Sequence, residues 1–191
     1  MRIASPSRLV TMSRTDKEAR LRDFIGEAIA SRGENPLGEI CVTLFVRNPD
    51  SPVARALHAA WSEGRTETAR FLILMGDTNT DEPSAPSVLD MTDAEYRVLA
   101  DPSFAPAHEQ LTVGSTHVWI GDCLRRDPAK RDAFEIYHPN DAASSVFAIA
   151  SFDKLWSRGR PLKLPRAEPL PPEIIAAQAD DQYVLPLNPR H

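Results

Sequence analysis

The chain has 191 residues, 42% of them hydrophobic and 26% charged, which fits one domain with a substantial core and argues against wholesale disorder. Its net charge of -5 gives no general attraction to nucleic acid or anionic membranes, so a partner of that kind requires a local basic patch. No apolar run approaches the roughly 20 residues of a membrane-spanning helix, and no signal peptide is visible, so a cytoplasmic location is expected.

Residues 1–12 are polar and unpatterned, and Met12 reads as a second plausible start. Ser13 or Thr15 is expected to cap a first helix whose apolar stripe is Leu21, Phe24, Ile25, Ala28 and Ile29. Ile40 to Val46 is a nearly continuous apolar run of strand length, as expected of a strand covered on both faces. Asn48-Pro49-Asp50-Ser51-Pro52 turns the chain into a helix carrying Val53, Ala56, Leu57, Ala60 and Trp61, which Gly64 stops. Ala69 to Met75 is a second apolar strand, and strand, helix and strand together form a parallel βαβ unit.

Gly76 to Ser87 reads as a surface loop, followed by a short helix capped by Thr92 and carrying Tyr96, Val98 and Leu99. Leu111–Val113 and Val118–Ile120 form a predicted hairpin turning at Gly114-Ser115, with His108 at the sheet end. Arg125 to Asp132 is an exposed charged loop, and Phe134 to Tyr137 alternates as a strand. Asn140 or Asp141 caps a last helix with Val146, Phe147, Ile149, Phe152, Leu155 and Trp156 on its apolar side, closed by Gly159. The organisation expected is a non-native or disordered start over 1–12, one domain over 13–162 and a proline-rich extended tail over 163–191. The fold class expected is α/β, with a mixed or mostly parallel sheet of about five to seven strands and helices on both faces. Cys41 and Cys123 lie in apolar strand segments and read as two buried, reduced thiols.

Three elements in order resemble the phospholipase D superfamily. The first is the βαβ segment through Arg70-Phe71-Leu72-Ile73-Leu74-Met75. The second is His108 to Asp122, set against His-x-Lys, four residues, Asp, an apolar strand and Gly-Ser. The third is Asp132 to Trp156, which resembles a strand with a glutamate followed by a helix ending in Phe-x-x-x-Trp, here Phe152 to Trp156. The resemblance implies that His108 stands at the position of the phosphoryl-accepting nucleophile. Gln110 stands at the lysine position, Ser115 at the aspartate position, and Gly121-Asp122 at Gly-Ser. Lysine offsets developing charge on a phosphate oxygen, and the aspartate supports the imidazole. Gln110 and Ser115 bring neither charge, and Asp122 would repel a phosphate. Losing one such electrostatic donor costs about 3 kcal/mol, or a hundredfold or more in rate. Read without the family, His108 is also an ordinary loop histidine after Pro106.

The resemblance therefore implies a catalytically impaired protein acting as a binding or regulatory module. The alternatives are an active phosphodiesterase or nuclease using His108, and a structural subunit of unrelated α/β fold. Asp122, Arg125, Arg126 and Glu135 are the candidate ligand-binding residues, and a phosphate-containing ligand is expected, with nucleic acid left open. Lys130 and Arg131 enlarge the basic cluster, although interleaved carboxylates favour self-pairing. His117, Asp122, Asp127, Asp132 and His138 match no metal-ligand spacing, so no metal is expected. No cofactor motif is present. Active members of the superfamily that the chain resembles set two motif copies face to face, so the resemblance implies that this chain, with one copy, forms a twofold dimer pairing two His108 regions.

Overall fold

The computed structural model describes residues 14–31, 40–66, 69–79, 85–123 and 135–164. Its elements are α1 (Arg14–Ala30), β1 (Ile40–Val46), α2 (Pro52–Ser62), β2 (Ala69–Met75), β3 (Ala94–Leu99), β4 (His108–Val113), β5 (His117–Cys123), β6 (Glu135–His138), α3 (Ala142–Trp156) and β7 (Gly159–Pro161). The strands form one mixed sheet in the order β6-β5-β4-β1-β2-β3-β7. β1–β2 and β2–β3 are parallel, and the other pairings are antiparallel.

Helices cover both faces, because β1 and β2 carry apolar side chains on both sides. On one face Val42, Leu44, Phe71, Ile73, Leu111 and Trp119 join Leu21, Phe24 and Ile25 of α1 and Val53, Ala56 and Leu57 of α2 in the larger core. On the other, Phe45, Leu74 and Leu99 enclose Phe152 of α3 in a smaller one. Strand alternation sets this division: paired residues on neighbouring strands point to the same side.

Three expectations are corrected. Tyr96, Val98 and Leu99 lie on the strand β3, not on a short helix. Their spacing suits either element, and β2 offers a free edge that pairs Phe71 to Met75 with Ala94 to Val98. Tyr96 faces the larger core, and its hydroxyl donates to the carbonyls of Val88 and Met91, both at 2.7 Å. Second, Gly159 does not close α3. The helix ends at Trp156, and Gly159 opens β7, where a Cβ would lie 2.9 Å from both Arg97 Cβ and Leu74 Cδ1. Third, Cys41 is exposed. After Pro161, Leu162 donates its N–H to the carbonyl of Tyr96, and Leu162 and Leu164 pack against the larger core. Residues 1–13, 124–134, among them Arg125, Arg126, Lys130 and Arg131, and 165–191 lie outside the described residues.

Candidate functional site

The candidate site lies where the direction of winding changes. From β1 the chain goes through α2 to β2 on one side, and β4 returns on the other side of β1. β4 is antiparallel to β1, so His108 and Glu109 begin β4 beside the C-terminal end of β1. The carboxyl ends of strands at such a switch point are where open α/β sheets place their ligands. The pairing of β4 with β5 is irregular there. His108 pairs with Cys123 and Glu109 with Gly121, so Asp122 is the extra residue of a bulge. Bulges are over-represented next to active sites, where they re-aim side chains.

Alternation along β4 and β5 then separates the motif positions. His108, Gln110 and Thr112 share the α3 face, and Glu109, Leu111 and Val113 point toward α1 and α2. His108 is half-buried. Gln110 Nε2 donates to the carbonyl of Ala148 in α3 at 2.8 Å, so its amide is tied to the helix. Ser115 lies in the turn beyond Val113, at the opposite end of β4 from His108. Five strand steps from His108 to Val113 correspond to about 17 Å, beyond the reach of a serine hydroxyl.

Glu135 is on the other side of the sheet. It pairs across the sheet with Gly121, which pairs with Glu109, so all three point toward α1 and α2. Lys17 Nζ lies 2.8 Å from Glu135 Oε1, with the two side chains 5% and 9% exposed. The Tyr137 hydroxyl donates to Glu135 Oε2 at 3.1 Å. Burial, then the charge of Glu135, pushes the Tyr137 phenol well above its ordinary value and keeps it a donor. Arg20 lies over the Tyr137 ring at 4.3 Å and Lys17 over Trp119 at 5.7 Å. Gly121 fits under the buried Trp119 indole because it has no side chain: a Cβ would stand 2.3 Å from Trp119 Cζ2.

Glu109 is a buried acid that the motif comparison passes over. Its Oε1 accepts the Arg47 N–H at 2.9 Å and also the Ser51 hydroxyl. Ser51 is the N-cap of α2, yet its side chain makes no capping bond, since it serves Glu109 instead. An internal carboxylate thus sits beside the first turn of α2, where the helix dipole favours negative charge. The signal available in the sequence was an acid in the middle of a buried, alternating strand.

The two histidines weighed as metal ligands, His117 and His138, are also split. His117 points toward α1, in edge contact with Phe24, and burial holds its pKa below the ordinary histidine value. His138 is opposite Val118 on the α3 face, with Nδ1 3.3 Å from Asp141 Oδ2. Asp127 and Asp132 are outside the described residues. A basic run in the sequence lies elsewhere. Lys154, Arg158, Arg160 and Lys163 are all exposed, with no carboxylate between them in sequence. Arg158 lies over the exposed Phe104 ring at 4.4 Å. None of the four is in an ion pair among the described residues. This window of four cations without an acid was legible in the sequence; it straddles the expected boundary between the domain and the tail at residue 163.

No family model and no curated protein matches the sequence. Among solved structures, the fold is similar to that of TrmBL2, an archaeal chromatin protein described as showing a novel mode of DNA binding. The TM-score is 0.53 at 14% identity, over 78% of this chain and 52% of that one. This chain spans about half the length of that protein, and the likeness is one of fold. Nuc from Salmonella typhimurium, a phospholipase D family member, superposes with a TM-score of 0.47 at 12% identity, over 75% of this chain and 91% of that one.

Proposed function

We propose that this chain is a degenerate phospholipase D-like protein that binds a phosphate-containing ligand without hydrolysing it efficiently, as a homodimeric binding or regulatory module. One observation carries the reading: the groups that a histidine-based phosphodiesterase gathers at one point are divided between two faces and two ends of the β4–β5 hairpin. His108 and Gln110 are on the α3 face, Glu135 is on the opposite face in an ion pair with Lys17, and Ser115 is at the far turn. Nucleophilic catalysis needs base, orienter and charge donor within hydrogen-bond reach of one another. Separating them removes transition-state stabilisation while leaving room for ground-state binding.

Arg158, over the exposed Phe104 ring, and the exposed Arg160 and Lys163 that follow it in sequence support an anionic ligand with flat bases. Guanidinium groups and aromatic faces together suit a phosphate backbone and its bases. TrmBL2 is described as binding DNA, which is a ligand of that chemistry. Fold alone does not transfer function, so the proposal rests on the surface of this chain.

The test is titration of a fluorescent single-stranded DNA oligonucleotide with the full-length protein at several salt concentrations, recovering the oligonucleotide afterwards. The expected result is saturable, salt-weakened binding with the oligonucleotide intact, and binding weakened at least tenfold by Arg158→Glu with Arg160→Glu. Absence of binding at low salt, or binding indifferent to the double substitution, would refute the placement of the ligand.

A further inference from the structure

The sheet face that α3 covers is apolar over one half and polar over the other. Toward the carboxyl end of the helix, Phe45, Leu74 and Leu99 enclose Phe152. Under its first turns lie Thr43 of β1 and Thr112 of β4, paired directly across the two strands. Both point to α3. Thr43 alternates with Val42 and Leu44 of the larger core, and Thr112 is two residues from Gln110, which bonds to the helix. Gln110 meets Ala148, and the Asp141 N–H donates to the Thr116 carbonyl at 2.7 Å, so α3 runs from the hairpin-turn end of β4 toward His108. Ser145 is one helical turn back from Ala148, and Thr112 is two residues along β4 from Gln110. Steps of about 5 Å and about 7 Å in the same direction set Ser145 over Thr112.

All three hydroxyls are enclosed. Thr43 is 4% exposed, and Thr112 and Ser145 are 0% exposed. None of the three oxygens has a hydrogen-bond partner among the described residues. Threonines opposite each other on neighbouring strands commonly bond to each other, and a helical serine commonly bonds back to the carbonyl four residues earlier. Neither bond is formed here. A hydroxyl buried without a hydrogen bond has lost water and gained nothing in return, so three in one patch call for a shared partner. The patch is polar and its side chains are small, the conditions under which an interior holds water instead of staying dry.

We propose that Thr43, Thr112 and Ser145 hold an internal water molecule between the sheet and α3. A buried water makes about three hydrogen bonds. Three hydroxyls, each able to donate or accept, supply them. Val118, opposite Thr112 on β5, is buried on the same face and offers only apolar atoms from its side chain. An ion of either sign would be buried there among neutral hydroxyls with no counter-charge from them, which favours a neutral occupant. The first turns of α3 are then fastened to the sheet by Gln110 and a water, where the last turns are fastened by apolar packing. His108, Gln110 and Thr112 follow one another on the α3 face of β4, so the water lies at the inner end of the row that the half-buried His108 begins. The water site does not depend on the ligand-binding reading.

The experiment is water-oxygen magnetic relaxation dispersion of the full-length protein, which counts long-lived internal waters and is blind to the exchange of hydroxyl protons. The triple variant Thr43→Val, Thr112→Val and Ser145→Ala, shown to be folded by circular dichroism, is expected to hold one long-lived water fewer than the parent. An equal count in the folded variant overturns the site. A crystal structure of the unsubstituted protein, at a resolution that shows ordered water, is a second test that does not require the variant to fold. Density for one water within hydrogen-bond distance of all three hydroxyls is expected. A direct bond between the Thr43 and Thr112 hydroxyls, or a Ser145 hydroxyl bonded to the Asp141 carbonyl, with no density between helix and sheet, overturns it.

Discussion

Substituting Lys17 by Met tests whether Glu135 is committed to α1 or available to the site. In the native protein Lys17 and Glu135 are 2.8 Å apart and 5% and 9% exposed, so solvent screens the pair little. Removing the ammonium leaves a carboxylate buried with one neutral donor, the Tyr137 hydroxyl. Breaking a buried pair in this way costs about 3–5 kcal/mol. The remaining Tyr137 bond favours the lower end, and the lost approach of Lys17 to Trp119 adds a fraction of a kcal/mol. With a urea m-value of about 2 kcal/mol/M, a loss of about 3 kcal/mol moves the unfolding midpoint down by roughly 1.5 M. Replacing both partners, Lys17→Met with Glu135→Leu, is expected to restore most of the loss, because the double variant buries no charge. Urea titrations followed by far-UV circular dichroism read all three proteins. A single variant within about 0.5 kcal/mol of the parent would mean that Glu135 is solvated and free, and the separation of the site across two faces would fail with it.

Three further outcomes follow from the same geometry. Gly121→Ala forces the buried Trp119 indole to move and is expected to cost at least about 1–3 kcal/mol, with a changed tryptophan emission and near-UV spectrum; an unchanged spectrum would refute the stacking. Gln110→Lys, which introduces the lysine of the proposed motif, is expected to destabilise by about 1 kcal/mol or more in urea titrations, because a cation must enter where an amide meets the Ala148 carbonyl. His117 binds a proton less readily in the folded chain than in the unfolded one, so stability is full above the ordinary histidine value of about 6.5 and falls as pH drops below it. Urea midpoints at pH 7.5 and 5.5 are expected to differ less in His117→Gln than in the parent protein.

Much of the architecture was legible because its signals are periodic. The apolar runs at Ile40–Val46 and Ala69–Met75 and the stripe between them specify the βαβ unit, and Gly114, at a φ of 61°, marks the hairpin turn. Asp141 caps α3 as its position before an apolar helix predicts, accepting the Ser144 N–H at 3.0 Å. β3 and β7 were not legible. Tyr96, Val98 and Leu99 fit either period, and Gly159 before Pro161 reads as a helix stop unless β3 is known to offer an edge. The candidate site was less legible still. A motif comparison reads residue types in order, whereas function depends on which face each residue takes. Parity along the strand puts Glu135 with Glu109, away from His108, and the extra residue at Asp122 is visible only in the pairing. The Lys17–Glu135 pair joins residues far apart in sequence and leaves no local trace.

The most direct measurement of the central claim is single-turnover hydrolysis of a generic phosphodiester and of single-stranded DNA by the full-length protein beside His108→Ala. The account predicts no turnover above background in either protein. Turnover on the order of 1 s⁻¹ or more that disappears with His108→Ala would contradict it, and would mean that the groups divided across the hairpin come together when substrate binds.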